Sequence, residues 1–190
     1  GRSFVYLKHI DTLVLRDEVA AVAPERFSWL FHAEGKDAFK GEGNSVRVVR
    51  PRAELRMEVL SPGRLERVVR PHPDRDGSYI MLSTPEPSIT GGLLAVLIPP
   101  SSENRAERNG WKASRLEAPG WSGVEIRRGG GTERVLYREE PGESPLAMGG
   151  WETDSDRAAL TVAPDGRLER AWVSGAPVLK AAGPSGATLF

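Results

Sequence analysis

Ser122-Gly123-Val124-Glu125-Ile126-Arg127, then Gly129-Gly130-Gly131, then Arg134-Val135-Leu136-Tyr137: two short β-prone runs joined through glycine decide how this chain folds. Val124 and Ile126 recur at the two-residue period of a strand and face the same way as Val135 and Tyr137. The glycines between them supply the positive φ angles that a tight reversal demands. The pair reads as a β-hairpin. A second follows, in which residues 158–162 and 168–173 flank Pro164-Asp165-Gly166. Proline presets φ there, and glycine accepts the left-handed position.

Upstream the pattern recurs. Phe4-Val5-Tyr6-Leu7 pairs with Thr12-Leu13-Val14-Leu15, and Asp17 and Glu18 mark the exit of that strand. Residues 26–33 alternate Phe27, Trp29 and Phe31 with Ser28, Leu30 and His32. Apolar bulk on both faces predicts a central strand. Val46 and Val48, then Ala53, Leu55, Met57 and Val59, alternate with Arg and Glu as a half-exposed pair bent near Pro51. Arg47, Arg50, Arg52 and Arg56, interrupted by Glu54 and Glu58, read as its solvated face. Ser61-Pro62-Gly63 is a turn, residues 65–69 an edge strand and residues 79–82 a further strand. Residues 92–98 form the most buried strand, residues 99–110 a surface loop and residues 178–181 a last strand. No window of a dozen residues holds the 3.6-residue period of an amphipathic helix. Ala20-Ala21-Val22-Ala23 is too short for one, and Pro24 stops it. The expectation is all-β: a two-sheet antiparallel β-sandwich, one single domain over residues 1–190.

The 26 basic and 26 acidic residues cancel, so no long-range field gathers a polyanion, and nucleic acid is disfavoured as a partner. The absence of cysteine removes disulfides, thiolate metal sites and a cysteine nucleophile. No apolar run approaches the roughly 18 residues of a membrane span. The chain enters a strand directly after Gly1-Arg2-Ser3, which predicts a fragment of a larger multidomain protein.

Chemistry-bearing motifs are sparse. His9, His32 and His72 lack the spacing of a metal motif. His32 reads as a core or rim imidazole, while His9 and His72 read as solvent-facing. Asp154 and Asp156, inside Glu152-Thr153-Asp154-Ser155-Asp156, suit a turn better than a calcium loop. His72-Pro73-Asp74-Arg75-Asp76-Gly77 opens like a calcium loop, but Ser83 stands where the bidentate glutamate belongs. Trp111, Trp121 and Trp151 each follow glycine and are the candidate carbohydrate contacts, with plugging the ends of the sandwich as their ordinary role. Trp29 reads as core.

Three stretches carry a resemblance: Arg2-Ser3-Phe4-Val5-Tyr6-Leu7, then Thr12-Leu13-Val14-Leu15-Arg16-Asp17-Glu18, then Phe27-Ser28-Trp29-Leu30-Phe31-His32. Together they resemble the C-terminal β-sandwich of heparinase II/III-like polysaccharide lyases. In that family an aromatic-rich strand and an aspartate-bearing strand are followed, after a proline, by an apolar strand ending in histidine. Thr153-Asp154, residues 158–162 and 168–173, and Gly175-Ala176-Pro177-Val178-Leu179 resemble its closing hairpin.

The resemblance implies a parent lyase that cleaves uronic-acid-containing polysaccharide by β-elimination, with a toroidal catalytic region preceding this domain. It implies a periplasmic or secreted location. The family's catalytic Tyr, Asn and His, and the residues that hold its zinc, lie before the matched segment. No position here matches them, so no catalytic, cofactor-binding or metal residue is carried over. The expected function is a non-catalytic sandwich whose partners are the parent's catalytic region and an acidic polysaccharide. An independent carbohydrate-binding module and a structural or interaction sandwich are the alternatives.

Overall fold

The structure is a computed structural model that describes residues 1–35, 38–50, 53–60, 64–73, 76–100, 105–139, 145–148, 151–175 and 179–181. It is predominantly antiparallel β, and none of its sheets closes into a barrel. Among the described residues no helix is long and apolar enough to cross a membrane. The chain divides into two compact units, Gly1–Asn109 and Gly110–Phe190.

The first unit contains β1 (Arg2–Leu7), β2 (Thr12–Glu25), β3 (Ser28–Ala33), β4 (Phe39–Lys40) and β5 (Ser45–Val49). It continues with β6 (Glu54–Val59), β7 (Glu66–Pro71), β8 (Ser78–Ser83), β9 (Ser88–Ile98) and a short helix, α1 (Arg105–Asn109). Six strands form one sheet in the order β1-β2-β9-β6-β5-β4, and three form another in the order β3-β8-β7. The β1–β2 hairpin has the expected register, with Val5 opposite Val14. Residues 92–98 lie in β9, between β2 and β6, with Ala95, Val96 and Ile98 fully buried.

Four expectations are corrected here. Asp17 and Glu18 do not end β2, which runs on to Glu25; its ladder with β9 continues to Ala20 opposite Thr90 and, after a register shift, to Glu25 opposite Ser88. Asp17 is tolerated inside the strand because Arg2 grips its carboxylate with two hydrogen bonds of 2.6 Å. Residues 26–33 supply an edge strand, not a central one, since β3 pairs with β8 alone. Its inner face carries buried Trp29, while Leu30 on the outer face is 50 % exposed.

The charges along β5 and β6 form a solvated face only in part: Arg47 is exposed and Arg50 and Glu58 are half-buried, while Arg52 lies outside the described residues. Glu54 and Arg56 are buried, and Glu54 accepts the Arg47 Nε–H at 2.6 Å. Arg56 lies 3.4 Å from Glu58 and donates to the Asn109 carbonyl at 3.1 Å. Burial pushes its guanidinium down from the usual range, against the raising pull of Glu58 and Glu54. Residues 99–110 are not all loop: α1 forms there, and buried Arg108 donates to the carbonyls of Asp11 and Pro99. The turn expected at Ser61-Pro62-Gly63 lies outside the described residues.

One core cluster joins the two sheets of this unit. Leu15, Val46, Met57, Leu93 and Ala95 come from the six-stranded sheet, and Trp29, Ile80 and Leu82 from the three-stranded one.

The second unit contains β10 (Lys112–Ala118), β11 (Trp121–Arg128), β12 (Gly131–Arg138), β13 (Leu146–Met148) and β14 (Trp151–Thr153). It ends with β15 (Arg157–Val162), β16 (Leu168–Ser174) and β17 (Leu179–Ala181). Its sheets run β10-β11-β12-β15-β16 and β13-β14-β17. The deciding hairpin forms as read, with Val124 opposite Val135. Of its three glycines Gly131 alone has positive φ, at 138°. Gly123 is fixed by a closer approach still, because a Cβ there would lie 1.9 Å from the Val135 carbonyl oxygen.

Gly166, at φ 85°, closes the second hairpin, with the Ala163 N–H donating to the Arg167 carbonyl at 2.8 Å. Both faces of β12 are buried, since Val135 and Leu136 are each at 0 % exposure. So is Glu133, opposite Ile126. Its carboxylate accepts the Arg128 Nε–H at 2.9 Å and the Thr161 hydroxyl at 2.7 Å.

Candidate functional site

Strand pairing places chemically distinct residues in rows across the outer face of the three-stranded sheet. His32 on β3 stands opposite Tyr79 on β8, which stands opposite Arg70 on β7. The next row is Leu30, Met81 and Val68. The rings of His32 and Tyr79 are 5.8 Å apart, and the His72 ring lies 6.1 Å from that of His32. A cleft of about 400 Å³ opens beside them, lined by His32, Ala33, Glu34, His72, Asp76 and Ser78.

Two backbone features shape this cleft. The His72 N–H donates to the Gly77 carbonyl at 2.9 Å, turning the chain between β7 and β8. Gly77 passes so near β3 that a Cβ would sit 2.9 Å from the Ala33 carbonyl oxygen. Two of the lining residues, Ser78 and Glu34, are committed to structural partners. Ser78 is buried and donates its hydroxyl to the Gly35 carbonyl at 2.8 Å. Glu34 is held by Arg50 through its side chain and its carbonyl. Two imidazoles and the acidic residues Glu34 and Asp76 line the cleft, with Tyr79 against the His32 ring, an arrangement suited to holding a polar ligand.

The other sequence-picked residues lie apart. His9 is exposed on the 3-10 turn after β1. His32 is exposed at the rim of its sheet, so the core alternative is set aside. Trp111 and Trp121 are buried, at 6 % and 2 % exposure, and the Arg138 guanidinium lies 5.1 Å above the Trp121 ring. Trp151 is half-buried on β14, and the indole left most in water is Trp172, at 49 %.

In the segment 152–156 the Thr153 hydroxyl donates to Ser155 Oγ at 2.8 Å and accepts the Ser155 N–H at 3.2 Å, which makes the expected turn. Asp74 and Arg75 lie outside the described residues. Among the described residues no three His, Cys, Asp or Glu side chains gather as a metal site.

Sequence reasoning missed the cleft because its two histidines become neighbours only through the register of β3, β8 and β7. It also missed Glu125. Burial alone would raise that carboxyl, but hydrogen bonds from Arg127 at 2.7 Å and Arg134 at 2.9 Å outweigh it and hold it below the usual carboxylate range. In comparison with known proteins, the chain matches no protein-family model and no curated protein.

Proposed function

We propose that the chain is the non-catalytic C-terminal β-sandwich of a heparinase II/III-like polysaccharide lyase, bracing a catalytic region that cleaves uronic-acid-containing polysaccharide by β-elimination. The observation that supports this reading is the outer edge of β1. Phe4 and Tyr6 are 54 % and 57 % exposed, two residues apart on one face of an edge strand. Adjacent exposed aromatics on a strand edge suit a docking surface for another polypeptide region. The sandwich layering is inferred for the first unit, where residues of both sheets share one core cluster. In this reading the chain itself holds no cofactor, and any zinc belongs to the parent's catalytic region. Its location would be periplasmic or secreted.

In this reading the cleft at His32 and His72 serves recognition, with Ser78 and Glu34 held by structural partners. The test is a paired substitution, Phe4→Ser with Tyr6→Ser, in the full-length lyase. Both side chains are exposed and only the solvent-facing Tyr6 hydroxyl bond to Asp11, 2.8 Å, is lost, so this chain's own stability should change by no more than about 1 kcal/mol. Lyase turnover and parent stability should fall. Unchanged turnover and stability of the parent would reject the docking role.

A further inference from the structure

At the far side of the five-stranded sheet lies β16, with no strand beyond it among the described residues. Trp172 stands in the middle of this edge strand, 49 % exposed. A single exposed aromatic is ordinary on a protein surface. What distinguishes Trp172 is the pair of residues on its face.

Register fixes that company. Trp172 is opposite Ala159, Ser174 opposite Arg157 and Arg170 opposite Thr161. Residues two apart on a strand share a face, and directly paired residues share it too. Arg170, Trp172 and Arg157 therefore stand on one face, each arginine roughly 7 Å from the tryptophan by strand geometry. Arg170 is exposed and Arg157 half-exposed. Among the described residues neither has a carboxylate within ion-pair distance, unlike Arg127, Arg128 and Arg134 on the neighbouring strands. Glu133, one strand further along the row of Arg170 and Thr161, is already neutralised by Arg128 at 2.8 Å.

We infer that Trp172, Arg157 and Arg170 form a binding surface for an acidic oligosaccharide. The indole offers a flat apolar face to a pyranose ring, and its two χ angles leave little entropy to lose on binding. The guanidiniums offer paired N–H donors that match carboxylate geometry. A neutral glycan would leave both arginines unused. A nucleic-acid strand would find two cations on a protein of zero net charge, with no wider field to hold its phosphates. The choice of an acidic sugar rests on the polysaccharide reading above; the exposed ring and its two cations do not.

The experiment is a titration of the whole chain, followed by tryptophan fluorescence and by calorimetry, with a hexuronate tetramer. An uncharged tetrasaccharide and a short single-stranded oligonucleotide run in parallel. The tetramer should bind saturably and change the fluorescence. Trp172→Ala should abolish the fluorescence response, and Arg157→Gln or Arg170→Gln should each weaken binding about tenfold. Circular dichroism checks that each variant keeps its sheets. Binding unaffected by all three variants, no binding of the tetramer, or tighter binding of the oligonucleotide would overturn the proposal. Tetramer binding that depends on Trp172, beside a full-length protein without lyase turnover, supports this surface and rejects the lyase reading. Turnover without Trp172-dependent binding rejects this surface and keeps that reading.

Discussion

Glu133→Ala is the substitution whose outcome the structure fixes most tightly. The Glu133 side chain is 1 % exposed, and its carboxylate is shared by Arg128, itself 17 % exposed, and by the buried Thr161 hydroxyl. Removing it strands a largely desolvated guanidinium. Breaking a buried ion pair from one side destabilises by about 3–5 kcal/mol. The Thr161 hydroxyl, deprived of its 2.7 Å acceptor, adds about 1–3 kcal/mol where no water replaces it. The lower bound for the whole change is about 3 kcal/mol.

Glu133→Gln keeps an acceptor for Thr161 and loses only the charge, so it should fall between Glu133→Ala and the wild type. The double variant Glu133→Leu with Arg128→Met removes both ions and should recover most of the loss, because the intact pair itself contributes little net stability. Urea unfolding followed by tryptophan fluorescence measures all three. For a chain of 190 residues, 3 kcal/mol corresponds to a fall in Tm of roughly 6–12 °C. A Glu133→Ala loss under about 1 kcal/mol would refute the reasoning.

Other outcomes test the fold and its charges. Gly123→Ala places a Cβ 1.9 Å from the Val135 carbonyl, so it should destabilise by at least the ~1–3 kcal/mol of an overpacked core. Gly129→Ala, with open space around the added carbon, should stay within about 0.5 kcal/mol of wild type in the same unfolding assay. Glu125 is held below the usual carboxylate range when folded, so its stabilising contribution is complete above the unfolded-state value and disappears as pH falls through the folded one. The stability gap between wild type and Glu125→Gln, measured by urea unfolding at a series of pH values, should therefore shrink with acidification; a gap constant with pH argues against the arginine pair. Trp121→Ala should lose about 3–5 kcal/mol, since a fully packed indole in the core of the second unit is deleted; thermal unfolding reads that change.

Much of the β organisation was legible because it is written in short-range signals. Val124 and Val135 announce their shared face through the two-residue period, and Pro164-Asp165-Gly166 specifies its turn through φ preferences. Burial of charge was not legible. Glu54, Arg56 and Glu133 alternate with apolar residues as surface charges do, and only register and layering reveal that their partners lie within reach. The length of β2 was hidden for a related reason. Ala20 pairs with Thr90 on β9, and that long-range ladder overrides the local preferences of alanine and aspartate. The cleft beside His32 and the surface around Trp172 are both products of register, so spacing along the chain carried no trace of either. Trp172 has no motif around it and becomes conspicuous only when β16 is seen to be an edge.

The most direct test of the central claim is lyase turnover, followed as the absorbance of the unsaturated uronate product on heparan-, alginate- and chondroitin-type polymers. The full-length protein and this chain alone are compared on the same panel. The account predicts turnover by the full-length protein and none by the 190-residue chain. Turnover by the chain alone, or its absence from the full-length protein on every polymer, would contradict it.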